Sequence, residues 1–174
     1  MAASRFAQQL NAQIGNELAA HHQYLACAIH YDALTMPRMA AFFYEQALEE
    51  RGHAMMMVRY LLDTSHEVVI PAVDAPVCSF EDVVAPVALA LAQERRVTDQ
   101  VNGLLRTARE EGDFASEQFM QWFIKEQVEE VATMSDLLAV VTRNRGDIED
   151  IEEYVAREQG AAADDPTAPR RAGV

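Results

Sequence analysis

Glu17, Glu50, Glu94 and Glu130 each interrupt an apolar stripe that is otherwise nearly continuous. Each stripe repeats at spacings of three and four, which puts its members on one face of an α-helix. The first reads Leu10, Ile14, Glu17, His21, Tyr24, Ala28, Tyr31, and the second Met39, Phe43, Gln46, Glu50, His53, Met57, Tyr60. The third reads Val87, Leu91, Glu94, Val97 or Thr98, Val101, Leu105, Ala108, and the fourth Met120, Phe123, Gln127, Glu130, Met134, Leu138, Val141. A carboxylate on a core-facing stripe is costly unless its charge is compensated. One such acid is usually a salt-bridged core residue. Four of them, each near the middle of a different helix, imply a shared cause. No Lys or Arg lies on the stripes near them, so a bound cation is the simplest compensation.

Two divalent ions would balance four carboxylates. Glu50 and His53 form a Glu-x-x-His pair whose spacing puts carboxylate and imidazole on the same face, and Gln127 adds an amide to the same layer. Oxygen-rich ligation with one imidazole suits iron or manganese, with zinc able to compete. A structural zinc site would use Cys and His instead. Cys27 and Cys78 are far apart, lack metal or redox spacing, and are expected to be buried free thiols.

The stripes imply helices over about 4–31, 37–63, 82 or 86 to 110, and 114–143, with a short fifth helix near 147–158. Thr35 is expected to cap the second helix ahead of Pro37, Asp113 to cap the fourth, and Gly146 to close it. The connection from Ser65 to Asp82 is the only long one. Eighteen extended residues reach at most roughly 60 Å, whereas a helix of ~27 residues is about 40 Å long. The connection can therefore return along the bundle and start the third helix parallel to the second. The expectation is an all-α four-helix bundle with one long crossover loop and a short fifth C-terminal helix. Residues 1–159 form one domain, and the Ala-, Asp-, Pro- and Arg-rich stretch 160–174 is expected to be a disordered tail. Phe42, Ile151 and Val155 read as exposed apolar residues available for assembly, since a fifth helix has no place inside a closed bundle.

Charge and hydropathy narrow the partners. Acidic residues number 28 against 14 basic, a net charge of −14 that argues against nucleic-acid binding and fits cationic partners. No apolar run approaches the roughly 20 residues of a membrane span, and residues 1–9 are polar, so a cytoplasmic protein without a membrane partner is expected.

Four-helix metal bundles place one Glu on each of two helices and Glu-x-x-His on each of the other two. Here Glu17 and Glu94 fill the single roles and Glu50-x-x-His53 one motif, while Gln127-x-x-Glu130 replaces the second. Together with Tyr24, Glu49, Glu126 and Glu129, this pattern resembles the bacterial non-haem ferritins over about 4–158. The resemblance implies that Glu17, Glu50 and His53 hold a first iron, that Glu50 bridges, and that Glu94 and Glu130 hold a second. It implies that Gln127 contacts oxygen or the second metal, that Tyr24 hydrogen-bonds at the centre, and that Glu49, Glu126 and Glu129, with Glu130, form a third iron position. The implied function is an iron-storage ferritin with ferroxidase activity towards Fe(II), using oxygen or hydrogen peroxide, within a homo-oligomeric 24-subunit shell.

Related families fit less well. Bacterioferritins carry a second Glu-x-x-His and a haem-ligating Met where this chain has Gln127, Glu130 and Arg51, so no haem is expected. Mini-ferritins lack the fifth helix. Glu117 fits the acid that lines the family's three-fold pores, but Met120 stands where some members have another. The alternatives are a diiron oxidase or peroxidase without storage and, in another class, a metal-free helical interaction protein. Trp122 and Met55, Met56 and Met57 read as packing, and His21, His22, His30 and His66 as non-ligands.

Overall fold

The computed structural model describes residues 4–158 and 165–173. Among the described residues five helices form: α1 (Arg5–Ala33), α2 (Pro37–Asp63), α3 (Ala85–Glu111), α4 (Phe114–Arg143) and α5 (Ile148–Glu158). α1 packs most extensively on α2, and α3 on α4.

Contacts at the helix ends fix the directions. The backbone N–H of Arg5, at the start of α1, donates to Glu111 at the end of α3 (2.9 Å). Tyr60, near the end of α2, hydrogen-bonds Ser116 near the start of α4 (2.9 Å). α1 therefore runs antiparallel to α3, and α2 antiparallel to α4. α1 and α2 form a hairpin, so α2 and α3 are parallel, as the long connection requires.

That connection is laid along α1 in register. Asn11 donates to the Glu67 carbonyl (2.9 Å) and accepts from the Val69 N–H (2.7 Å). Gln23 makes the same two-way pairing with Val77, at 2.9 Å each way. The Tyr31 hydroxyl then donates to the Val83 carbonyl (2.7 Å). Three polar side chains of α1 thus satisfy backbone groups that a loop at the surface would otherwise leave to water.

Capping explains most boundaries. Ser4 accepts from the Ala7 N–H (3.0 Å) at the start of α1, and Asp113 from the Ser116 N–H (3.0 Å) at the start of α4. Gly112, at φ 68°, ends α3, and the following N–H of Asp113 donates back to Ala108 (2.9 Å). Two expected caps differ. Thr35 does not cap α2: it sits at φ 60°, and Met36 occupies the cap position without a side-chain bond. The orphan N–H groups of Arg38 and Met39 donate instead to Glu152 of α5, at 2.8 and 2.9 Å. Gly146 is not the left-handed stop either: α4 ends at Arg143 with Asn144 as its cap, and among the described residues the glycines at positive φ are Gly112 and Gly173.

The fifth helix therefore does have a place: it closes the end of the bundle at the N-terminus of α2. Ile151 and Val155 are buried in the core against α2 and α4, and Phe42 is partly buried beside them, so none of the three is the exposed residue expected from the sequence. Cys27 is buried but Cys78 is exposed on the crossover, which corrects the expectation for the second thiol; both are free. The expected disordered tail falls partly outside the described residues, at 160–164 and 174. Residues 165–173 lie against α2 and α4: Trp122 donates to Asp165 (3.1 Å), and the Ala172 N–H to the Met55 carbonyl (3.0 Å).

The core divides in two. One apolar cluster gathers Tyr31, Met39, Phe43, Val87, Met134 and Val141, the other Phe6, Leu10, Met57, Leu61, Val101 and Phe123. Between them lies a layer of buried polar groups. Among the described residues no helix is long and apolar enough to cross a membrane.

Candidate metal centre

The four glutamates meet in that layer. Glu17, Glu50, Glu94 and Glu130 are all buried, and with them His53, Gln127 and Tyr24. One ligand atom each from Glu17, Glu50 and His53 lies within 4.8 Å of the others. Glu50 Oε2 is 3.6 Å from His53 Nδ1, too far for a hydrogen bond. Oε2 of Glu17 and Oε2 of Glu50 are buried without a hydrogen-bond partner. Buried carboxylate oxygens are normally satisfied, and two bare ones in a layer that also holds an imidazole fit a cation's requirements.

Glu94 is held differently. Its Oε1 accepts from the Tyr24 hydroxyl, and its Oε2 from Gln127 Nε2 (3.1 Å). Gln127 also donates to the Glu94 carbonyl (3.2 Å) and to Thr98 (3.3 Å). Trp122 and Phe123 stand edge-on to His53, with ring centroids 5.6 and 5.8 Å away, and wall the layer with carbon.

The electrostatics follow from burial. Burial, reinforced by the charges of Glu94 and Glu17, raises the Glu50 carboxyl well above the ordinary range. Burial raises Glu94 to about 7, although the bonds from Tyr24 and Gln127 pull it down. Glu130 is raised well above its usual value by burial and by Glu94, Glu49 and Glu126. Burial lowers His53, which keeps its imidazole neutral and able to ligate. Among the described residues no Lys or Arg forms an ion pair with any of the four core glutamates, which weighs against an internally neutralised bundle.

A second group adjoins the first. Ligand atoms of Glu49, His53 and Glu126 also lie within 4.8 Å of one another, with both acids half-buried. Gln46 donates to Glu49 (2.9 Å). Burial and the Glu49 charge raise Glu126 to about 7. Glu129 is not part of this group: it is exposed and lies 3.8 Å from Lys125 Nζ. Sequence reading missed Gln13, whose buried amide donates to Glu17 Oε1 (2.8 Å). Its only signal was a position one turn before Glu17.

The remaining residues sit apart from the layer's chemistry. His21 Nδ1 faces the Ala47 carbonyl (2.6 Å), and His22 Nδ1 the Leu18 carbonyl (2.7 Å). His66 pairs with Thr64 (3.0 Å), and His30 lies between Tyr31 and Phe80. Met56 and Met57 are core residues.

A four-helix bundle with one crossover and a buried carboxylate–histidine layer defines a class of helical proteins with a ligand-rich core. Residues 7–144 match the ferritin-like domain family. The chain is 52% identical to Ferritin BfrB of Mycolicibacterium smegmatis over 98% of its own length and 94% of that protein's. It is 35% identical to the bacterial non-heme ferritin of Staphylococcus epidermidis, covering 77% of this chain and 81% of that one. Among solved structures, the open pore ferritin of Archaeoglobus fulgidus superposes with a TM-score of 0.86 at 26% identity, over 90% of this chain and 97% of that one. The chain belongs to the ferritin family, as its resemblance to the bacterial non-haem ferritins implied.

Proposed function

We propose that this chain is the subunit of a cytoplasmic iron-storage ferritin that oxidises Fe(II) at an intrasubunit diiron ferroxidase centre and deposits Fe(III) as mineral. The observation that carries this reading is the convergence of Glu17, Glu50 and His53 within 4.8 Å in a buried layer, with carboxylate oxygens left bare on Glu17 and Glu50.

Glu17, Glu50 and His53 take the first Fe(II). Glu94 and Glu130 take the second, and Glu50 bridges. The two substrate ions each give up one electron, and oxygen or hydrogen peroxide accepts the pair. Gln127 fixes Glu94 and offers its amide to the oxidant side, while Tyr24 holds the other Glu94 oxygen. Glu49, Glu126 and Glu130 form a third iron position with Glu129 at its exposed rim. Product iron leaves by that half-buried acidic edge. No haem takes part.

Mineral storage requires a closed shell, which we read as a homo-oligomer of 24 subunits. Support comes from large apolar side chains that the single chain leaves in solvent: Phe114, Val128, Leu48 and Ile29 are each at least 60% exposed. The test is iron retention. Purified protein is loaded aerobically with a large excess of Fe(II) and passed over gel filtration. Hundreds of irons or more eluting with a particle of about 24 subunits supports storage. Two or three irons per chain would leave a diiron oxidase instead.

A further inference from the structure

Gln13 is 2% exposed and lies on α1 one turn before Glu17. Both of its donors and one of its acceptor positions are used. Its Nε2 donates to Glu17 Oε1 (2.8 Å) and to Gln100 Oε1 of α3 (3.2 Å). Its Oε1 accepts from Asn16 Nδ2 (2.9 Å). The amide nitrogen of Gln13 is the end that faces Glu17, since its oxygen is taken by Asn16. Asn16 fixes the same orientation from the other side.

This has a consequence for Glu17. Oε1 is engaged by Gln13, while Oε2 is buried and bare. A carboxylate turns easily about its last bond, so an unrestrained Glu17 would present either oxygen, or neither, to the layer. Packing alone does not call for an amide here. An apolar side chain would fill the position between Leu10 and Glu17 without the penalty of burying polar atoms.

The geometry points to Gln13 as a positioning residue that holds Glu17 with Oε2 turned to the metal centre, the α1 residue Asn16 bracing the amide. This rests on reading Glu17 as a ligand. Outer groups that orient ligands typically change metal affinity by about 10- to 100-fold when removed.

The test uses Co(II) under anaerobic conditions, whose visible absorbance reports both occupancy and coordination geometry. The full-length wild-type chain is compared with Gln13→Met and Gln100→Leu. Gln13→Met keeps the volume and removes the donor. It leaves Glu17 Oε1 without its donor, and the half-buried Asn16 and Gln100 amides, also unpaired, stay within reach of water. Gln100→Leu breaks the link to α3 but keeps the bond from Gln13 to Glu17. The expected result is a 10- to 100-fold loss of affinity at one of about two Co(II) positions in Gln13→Met, with a changed spectrum. The other position and the whole of Gln100→Leu should stay within about threefold of wild type. Wild-type affinity and spectrum in folded Gln13→Met would overturn the assignment. So would an equal weakening of both positions accompanied by a lower melting temperature, which marks a purely structural role. Gln13→Leu supplies the same comparison with a different packing if the methionine variant does not fold. A wild-type chain that takes up no Co(II) would instead remove Glu17 as a ligand, and the proposed centre with it.

Discussion

A Cβ placed on Gly15 would lie 2.5 Å from Cγ of Pro71. The crossover is thus seated directly on α1, between the two points where Asn11 and Gln23 pair with its backbone. A proline ring on an anchored loop cannot swing aside. Gly15→Ala should therefore destabilise the protein by about 1–3 kcal/mol, despite alanine's better helix propensity. Gly52 is the internal control. Its Cβ would lie 3.0 Å from the guanidinium carbon of Arg171, the far end of an exposed and flexible side chain. Gly52→Ala should stabilise by roughly 0.5–1 kcal/mol. Thermal melts of the two variants should move in opposite directions.

Glu152 reaches from α5 to accept two N–H groups at the start of α2. A lost cap typically costs about 1–2 kcal/mol, and here it also unpins α5. Glu152→Ala should lower the melting temperature by that equivalent. Hydrogen exchange should speed up first at Arg38 and Met39 and across 148–158. Unchanged exchange there would show that the apolar contacts of Ile151 and Val155 hold α5 alone.

The folded chain binds protons at the layer that the unfolded chain would release. Glu94 is raised to about 7, and burial also raises Glu50 and Glu130 well above the ordinary carboxylate range. The sign follows from linkage. A group with a raised folded-state value stabilises below its unfolded value of about 4.3 and loses that contribution as pH rises through the folded one. Metal-free protein should therefore melt at a lower temperature near pH 7.5 than near pH 5.5, once changes at surface groups are subtracted using a Glu50→Gln, Glu94→Gln, Glu130→Gln reference. Divalent cations replace those protons, so the rise in melting temperature on adding Co(II) should be larger near pH 7.5. Equal rises at both values would contradict proton-linked binding.

Tyr24 gives the strongest of the hydrogen bonds that lower Glu94. Tyr24→Phe removes that donor without changing the ring. Glu94 should then rise above about 7, and the midpoint of pH-dependent metal binding should move up by roughly one unit. Potentiometric proton release on Co(II) addition reads this directly.

Much of this was legible in the chain itself. The stripes around Glu17, Glu50, Glu94 and Glu130 identified the buried layer because helical periodicity is local and a core acid is rare. The crossover was legible from length alone. What escaped were arrangements made between distant segments. Thr35 looked like a cap because cap chemistry is local, but the carboxylate that serves α2 comes from Glu152, more than a hundred residues later. Ile151 and Val155 looked exposed because an amphipathic helix does not say which surface it covers. Glu129 shares its motif with Glu126 and Glu130, yet helical rotation turns it outward to Lys125. Gln13 lies off the apolar stripe of its helix, and only the fold reveals that its amide faces a carboxylate.

The most direct measurement is stopped-flow absorbance as about two Fe(II) per subunit meet oxygen, for wild type and Glu50→Ala side by side. Glu50 is buried beside Glu17 and His53 with a bare oxygen. Fast oxidation is expected in the wild-type protein, with a loss of at least about 100-fold in the variant. Equal rates in the two folded proteins would place iron oxidation elsewhere and contradict the assigned centre.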